Sequence, residues 1–340
     1  MRLRPIAALL IAAVPACVGL AMVALPEAWR LIVSVTVAYA ACLFFTIGIV
    51  ARVLRWAKAP VPFRIPTTSG QQQSLAWIRP ARLDNPATGA ATAGRMALEV
   101  LCFRSLSRNT SAQITRDRIS YRDSLALWLA ALLFHWSFLL ILIRHLRLVT
   151  EPVPAFVLWL MRVDAFFQIG SAQMFLSDIA FLAGLLYLCW RRLTSSEVRY
   201  ISLVSDYLAL WLLLGIGTTG VMMACWLRVD ITAIKQFALG LVTFAPVLPH
   251  GISPLFFAHL FLVSALAVYI PSGKLMHMAG VWLSPTRNMA NNNRARHHVN
   301  PWNAPVKTHT YAEWQEENLK ALQMAGIPLE EADAERTHSN

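Results

Sequence analysis

The sequence has few charged residues and no closely spaced cysteines. Asp, Glu, Lys and Arg make up 14% of its 340 residues, whereas a soluble domain carries about a quarter. With 57% hydrophobic residues, this composition argues against an ordinary soluble fold. The five cysteines contain no Cys-x-x-Cys pair, which argues against a covalently attached c-type haem, an iron–sulfur cluster or a zinc ribbon carried by this chain.

Acidic residues are scarce relative to basic ones, with 18 Asp and Glu against 30 Lys and Arg, a net charge of +12. The basic residues lie in segments that flank apolar runs, and they form no stripe interleaved with aromatic residues. This distribution predicts contact with a lipid bilayer and no nucleic-acid partner.

Six long apolar runs are present. They cover 5–25, 31–54, 124–146, 172–190, 205–227 and 253–272. Because about 20 apolar residues span a bilayer, these runs predict an all-α integral membrane protein, a six-span helical bundle. The first run follows a basic start and is also compatible with a cleaved signal peptide, which would leave five spans. Its length favours an uncleaved helix.

Lys and Arg concentrate on alternate connections between the runs. Segment 51–122 holds twelve of them against three acidic residues, and segment 274–307 holds five and no acidic residue. Segments 147–171 and 228–251 are nearly balanced. Since Lys- and Arg-rich loops remain in the cytoplasm, we predict a bacterial or archaeal inner (cytoplasmic) membrane protein with both termini in the cytoplasm.

Four of the nine histidines lie in or beside these runs: His135 and His145 in the third, His259 and His277 in or just after the sixth. Ionisable groups are costly in a membrane and usually functional, and neutral imidazole is a good axial ligand for haem iron. The third and sixth spans run antiparallel in the predicted topology. His135 and His277 are therefore the predicted ligands of an inner haem, and His145 and His259 those of an outer haem.

The two histidine spacings differ. His135 and His145 are ten residues apart, about 15 Å along a helix, whereas the eighteen residues from His259 to His277 would rise about 27 Å with both rings on one face. The segment Pro271-Ser-Gly273 is predicted to bend the chain before His277.

The domains are then 1–55 (first two transmembrane helices), 56–122 (basic cytoplasmic loop, partly helical), 123–282 (four-helix haem-binding membrane domain with a dihaem core) and 283–340 (cytoplasmic tail).

Basic and acidic side chains near the histidines are further candidates. Arg122 and Lys274 on the inner side, and Arg144 and Arg147 on the outer side, are possible partners of haem propionates; the alternative is ordinary snorkelling at helix ends. Asp178 lies within the fourth run, where it could pair with Arg144 or accept a proton from a quinol. Arg144 and Asp178 are therefore the weak candidates for a quinone site.

The histidines and their spacings resemble the nitrate reductase gamma-type cytochrome b family. That family also places two histidines on one helix and two on a later antiparallel helix, with spacings of ten and eighteen. The resemblance covers about 120–285. It implies two haem b groups, with the same four histidines as iron ligands in the same pairs.

Three further segments resemble the membrane cytochrome b subunits of the Dsr electron-transfer complex of sulfate reducers and sulfur oxidisers. They are Leu83–Pro86, Arg95–Leu106 with Arg108-Asn-Thr110, and Arg287–Trp302. This resemblance implies a cytoplasmic iron–sulfur subunit similar to heterodisulfide reductase, periplasmic multihaem cytochrome c and iron–sulfur subunits, and a second membrane subunit as partners. It also implies electron exchange between membrane quinone and that cytoplasmic partner in dissimilatory sulfur metabolism.

Two other functions remain open at this point. One is a haem-free transporter whose intramembrane histidines relay protons. The other is a cytochrome b anchor of a hydrogenase or formate dehydrogenase. The leading expectation is an electron-transfer subunit of a quinone-reactive oxidoreductase complex.

Overall fold

The structure is a computed structural model that describes residues 3–59, 70–108, 110–115, 118–165, 168–169, 172–294 and 308–329. Between residues 110 and 123 and between 168 and 173 it describes only the backbone of two short hairpins. The chain divides into two compact units. The first contains the long apolar helices, and the second contains 60–63 and the C-terminal segment from residue 296.

Helices dominate the described residues of the first unit. In chain order they are α1 (Leu3–Ala21), α2 (Glu27–Ala57), α3 (Gly89–Cys102), α4 (Arg104–Ser107), α5 (Leu125–Val149), α6 (Ala155–Asp164), α7 (Leu176–Thr194), α8 (Ser196–Ile201), α9 (Val204–Val221), α10 (Ile231–Val242), α11 (Pro254–Tyr269) and α12 (His277–Gly280). Two antiparallel hairpins, β1–β2 (Thr110–Thr115 with Arg118–Asp123) and β3–β4 (Gln168–Ile169 with Ala172–Gln173), depart from the all-α prediction.

Four helical segments are long and apolar enough to cross a membrane, and a fifth candidate is bent. The four are Leu3–Ala24, Glu27–Ala57, Leu125–Val149 and Val204–Leu227. The fifth joins α11 to Lys274–Gly280 through a bend of 69°. The chain is therefore a multi-pass membrane protein. A turn of 3₁₀-helix extends α1 to Ala24, and a π-helical turn extends α9 to Leu227.

The fourth predicted span corresponds to α7, which is not one of these candidates. Its 19 residues include Asp178 near the start and Arg191 and Arg192 near the end, so its ends are charged and its apolar length is shorter. The six-span count stays a prediction that depends on this helix.

Small residues let the long helices approach closely. A Cβ atom on Gly19 of α1 would lie 2.5 Å from the Cα atom of Ala258 in α11, and one on Gly184 of α7 would lie 3.0 Å from the backbone of α5. Without a hydrophobic driving force between helices in lipid, such backbone approach supplies much of the packing attraction. These two crossings hold α11 against α1 and α7 against α5.

Two apolar clusters fill the interior. The first surrounds Phe134, Phe181 and Leu262, and the second surrounds Phe237, Phe256 and Phe257. The first cluster lies along α5, α7, α9 and α11. The helices that carry the predicted ligands are therefore held by a packed interior.

The second unit contains two described helices. They are α13 (Tyr311–Glu317) and α14 (Leu319–Met324). Thr310 and Glu313 form a capping box at the start of α13, which satisfies two backbone donors. The short helix predicted from the tail sequence is present here as this pair.

Candidate haem sites

The predicted inner ligands are adjacent in the structure. His135 lies in the middle of α5 and His277 begins α12, and their ring centres are 5.9 Å apart with ring planes at 80°. A metal lies about 2 Å from the imidazole nitrogen that binds it and so about 3 Å from the ring centre; two axial imidazoles therefore have centres about 6 Å apart. Because the bond axis lies in both ring planes, the angle between the planes is unrestricted. The separation suits two ligands of one iron.

Three of the four histidines donate Nδ1–H to a backbone carbonyl. The distances are 2.7 Å from His135 to Ala131 O, 2.7 Å from His145 to Ile141 O and 3.0 Å from His277 to Lys274 O. A carbonyl oxygen only accepts hydrogen bonds, so Nδ1 must carry the hydrogen in each ring. In neutral imidazole this leaves the Nε2 lone pair free for a metal.

A hydrogen bond to a side chain favours the same tautomer of His259. Its Nδ1 is 2.9 Å from the Thr219 hydroxyl oxygen in α9, and that hydroxyl lies 2.7 Å from Gly215 O and 3.0 Å from Ile216 O. A hydroxyl that donates its one hydrogen to a carbonyl accepts from an imidazole N–H, and in that arrangement His259 Nδ1 carries the hydrogen. The Nε2 atom of His259 is then also a lone-pair donor.

The predicted outer ligands lie within electrostatic range of each other. His145 and His259 interact across the space between α5 and α11. A Cβ atom on Gly220 of α9 would lie 3.5 Å from Cε1 of His259, so this glycine leaves room beside the ring. The pairing of His145 with His259 stays a prediction; His135 lies near the middle of α5 and His145 near its C-terminal end.

The donor sets fit bis-imidazole ligation better than another kind of metal site. Within the part of the chain that the structure describes, no group of three or more His, Cys, Asp or Glu side chains could hold a metal ion. Two neutral imidazoles with their Nε2 atoms free suit a haem, since its porphyrin supplies the other four ligands.

A bend after α11, and not a continuous straight helix, brings His277 to its position. α11 ends at Tyr269, and the chain turns by 69° before α12. His259 and His277 therefore do not lie on one face of a continuous helix, and that part of the prediction is wrong. The predicted break at Pro271-Ser-Gly273 is present. Because the segment turns aside there, the 27 Å rise expected for a straight helix no longer applies.

A buried charge cluster lies next to His145. The Arg144 guanidinium pairs with Asp178 Oδ1 and lies 3.3 Å from Asp164 Oδ2. All three side chains are largely buried. Asp164 also accepts hydrogen bonds from the backbone N–H of Ser177 at 2.8 Å and from its hydroxyl at 2.6 Å. The predicted Arg144–Asp178 pair is thus extended by a second carboxylate.

Asp164 did not stand out in the sequence. It lies between two apolar runs, where it was counted only as a loop charge. The feature that could have identified Asp164 is its position at the end of the apolar helix α6, opposite the start of α7. Two carboxyl groups share one guanidinium, and the Phe175 ring covers the guanidinium at 3.8 Å.

The other predicted propionate partners differ in their ion pairs and in their burial. Lys274 pairs with Asp206 at 2.8 Å, and Arg192 lies 3.6 Å from the same carboxylate. Arg147 is half-buried at the outer end of α5. The side chain of Arg122 lies outside the described residues.

The loop between α2 and α5 packs its helical part against α5. The indole N–H groups of Trp128 and Trp136 donate to Cys102 O at 2.7 Å and Leu101 O at 3.0 Å, at the end of α3. Phe103, in the left-handed conformation (φ 49°), presents its ring edge to His135 with 4.9 Å between ring centres. The helical part of this loop therefore packs against its own chain beside the inner pair.

The three sequence segments that carry the narrower resemblance meet in one polar cluster. Asn291 donates through its backbone N–H to Pro86 O at 2.6 Å and through its amide to Asn85 Oδ1 at 2.9 Å. Arg287 pairs with Glu99 at 2.9 Å. Both asparagines are buried. These segments thus fasten the loop to the chain that follows α12.

A surface ion pair strengthens the same loop. Asp84 pairs with Arg104 at 2.5 Å and with Arg108 at 2.7 Å. The hydrogen bond from Arg104 lowers the pKa of the Asp84 carboxyl, although partial burial opposes the shift. Asp84 therefore stays ionised at neutral pH.

The remaining histidines lie away from these sites. His250, a weaker candidate in the sequence, is exposed and lies 3.1 Å from Glu27. His309 in the second unit lies 3.5 Å from Glu317. His297, His298 and His338, predicted to be solvated, lie outside the described residues.

Comparison with known proteins agrees with this arrangement. Residues 96–293 match the nitrate reductase gamma subunit family. A protein of Archaeoglobus fulgidus named Hdr-like menaquinol oxidoreductase cytochrome b-like subunit is 45% identical over 278 residues, which are 80% of this chain and 83% of that protein. A protein of the same name from Archaeoglobus profundus is 40% identical over 265 residues, 76% of this chain and 79% of that protein.

Proposed function

This chain belongs to the nitrate reductase gamma subunit family, and on that basis we propose that it is the dihaem cytochrome b subunit of a membrane redox complex. It exchanges electrons between membrane quinone, for which the relatives' names indicate menaquinol, and a cytoplasmic iron–sulfur partner. The resemblance to Dsr-type subunits supports a role for this exchange in dissimilatory sulfur metabolism.

The observation that carries the proposal is the common tautomer of the four histidines. Each Nδ1–H is donated to an oxygen of the chain, and each Nε2 remains a lone-pair donor. A histidine that merely joins two helices would use both nitrogens for hydrogen bonds. Four rings with the same free nitrogen favour two bis-imidazole haem sites.

Each haem, when bound, supplies a one-electron redox centre. Two imidazoles of the chain would hold each haem and would leave no open position for oxygen. The backbone acceptors fix the ring orientations and increase the basicity of the ligands. Stacking the two sites along α5, ten residues apart, separates them by about 15 Å of helix rise and gives electrons a path across the membrane.

The proposed topology has six spans with both termini in the cytoplasm. α7 serves as the fourth span, and its basic end at Arg191 and Arg192 lies on the cytoplasmic side. The pairing of Asp178 with Arg144 reduces the cost of placing charge at the other end of α7. His135 and His277 then belong to the inner haem, and His145 and His259 to the outer one.

The proposed quinone site lies beside the outer haem, at the cluster of Arg144, Asp164 and Asp178. A quinol gives up two protons as it is oxidised, and a buried carboxylate can accept one of them. Asp178 is the better acceptor, because Asp164 is held by Ser177 as well as by Arg144. Arg147 is the proposed partner of an outer propionate.

The proposed partners follow the relatives' names and the Dsr resemblance. They are a cytoplasmic iron–sulfur subunit similar to heterodisulfide reductase, a second membrane subunit, and periplasmic multihaem cytochrome c and iron–sulfur subunits. The inner haem is the donor or acceptor for the cytoplasmic subunit, since it is the nearer of the two to that side.

Haem analysis of the purified protein tests the proposal. We expect a b-type band in the reduced-minus-oxidised spectrum, two haems per chain by the pyridine haemochrome assay, and reduction by a menaquinol analogue. A protein without a b-type band would be a haem-free transporter and would refute the proposal. Copurification of a hydrogenase large subunit or a molybdenum enzyme would instead favour the anchor function.

Thr219→Val is predicted to weaken the outer haem site alone. The substitution keeps the shape but removes the acceptor of His259 Nδ1–H, and loss of such a partner typically costs about 10- to 100-fold in metal affinity. Haem titration of the apoprotein would measure the change. The neighbouring Thr218 is exposed, so Thr218→Val is the matched control. Equal affinity in both variants would contradict the assigned role.

A further inference from the structure

The bend that carries His277 is braced by the end of a helix that holds no haem ligand. Gly48, Arg52 and Trp56 of α2 are four residues apart and therefore share one face of that helix. Gly48 approaches Pro271 so closely that a Cβ atom there would lie 2.6 Å from the proline Cβ. Trp56 lies against Gly280 at the end of α12, with 3.6 Å from its ring to a Cβ built there.

Arg52 supplies the polar contact of this face. Its Nη1 atom donates to Pro271 O at 2.8 Å, and its guanidinium lies 5.4 Å from the centre of the Trp56 ring, within range of a cation–π interaction. The guanidinium is thus oriented by a residue of its own helix.

The carbonyl of Pro271 needs a donor from outside the bend. α11 ends at Tyr269, and the N–H groups of Ser272 and Gly273 turn back to Tyr269 O at 3.2 and 3.0 Å. Pro271 is buried, and an unpaired buried carbonyl near a membrane costs several kcal/mol. Among the described residues, Arg52 provides the hydrogen bond to this carbonyl.

We infer that Arg52 is a positioning residue for the inner haem: it holds the Pro271 bend at the angle that brings His277 opposite His135. The inference rests on the proposed function, because His277 has to be an iron ligand. The contact chain has three links. Arg52 binds Pro271, and Pro271 leads into the 3₁₀ turn at Lys274–Met276. That turn leads to His277, whose Nδ1–H binds Lys274 O. These three links do not pass through His145 or His259.

Arg52→Met tests the inference, because it keeps an apolar stem of similar length and removes the donor. Arg52→Lys retains charge and a donor, and Arg55→Met is the matched control, since Arg55 is exposed one turn away. The readouts are the haem content per chain and the low-spin electron paramagnetic resonance signals of the two ferric haems, measured on the full-length purified protein.

We expect Arg52→Met to lose or shift the signal of the inner haem while the outer signal keeps its position and amplitude. Arg52→Lys should restore the inner signal at least in part, and Arg55→Met should match the unaltered protein. An unchanged inner signal in Arg52→Met would overturn the inference. So would an equal loss of both haems, which would make Arg52 a general folding residue. If the unaltered protein contains no haem, the proposed function fails, and the inference fails with it.

Discussion

Replacing His135 or His277 by alanine will abolish the inner haem and leave the outer one, and replacing His145 or His259 will do the reverse. Each iron is proposed to have two axial imidazoles, and the two rings of the inner pair are only 5.9 Å apart. Loss of either ring leaves an iron with a single protein ligand. Each variant should therefore contain one haem where the unaltered chain contains two.

The four variants should be compared by pyridine haemochrome assay and by redox titration of the b-type band. His250→Ala is the control, because its side chain is exposed and remote from both pairs. The two variants of the inner pair should show the same midpoint potential, that of the outer haem. The two variants of the outer pair should both show that of the inner haem. Equal loss of both haems in folded protein of all four variants would break the pairing.

Arg144→Met is expected to destabilise the protein more than any other single substitution in the outer half. It removes the cation that Asp164 and Asp178 share and leaves two buried carboxylates without it. Breaking a buried ion pair in this way costs about 3–5 kcal/mol. Thermal unfolding of the detergent-solubilised protein, followed by loss of the b-type band, would measure it.

A second substitution separates the buried charge from the lost packing. Asp178→Asn added to Arg144→Met removes one of the unpaired charges and should recover a large part of the stability. Arg162→Met is the control, since Arg162 is an exposed residue of α6. If the double variant is no more stable than Arg144→Met, the loss comes from packing, including the contact with Phe175, and not from unpaired carboxylates.

Membrane character and the positions of the helices could be read from the sequence. Both follow from the length of apolar runs, which is a local property that the bilayer thickness sets. The candidates at Leu125–Val149 and Val204–Leu227 lie within a few residues of the predicted runs. The sequence also predicts the grouping of the four histidines, because antiparallel spans bring residues of equal depth together, and His135 does lie beside His277 in the structure.

The details of each site depended on contacts between distant residues. Asp164 was missed because nothing local distinguishes it from a loop acid, and its role depends on Arg144 and Ser177 from other helices. The meeting of Asn85 with Asn291 joins residues more than 200 positions apart in the chain. Hydrophobic periodicity carries no information about such pairs.

The sequence by itself determined that this chain crosses a membrane, because hydropathy acts residue by residue, and it predicts from helix rise that four imidazoles lie at two depths within it. Only the tertiary structure decided how His277 reaches His135, which carboxylates share Arg144, and which donor satisfies the Pro271 carbonyl. Those outcomes depend on the bend angle after α11 and on helix crossings at Gly19, Gly48 and Gly184. Close packing between segments far apart in the chain sets them.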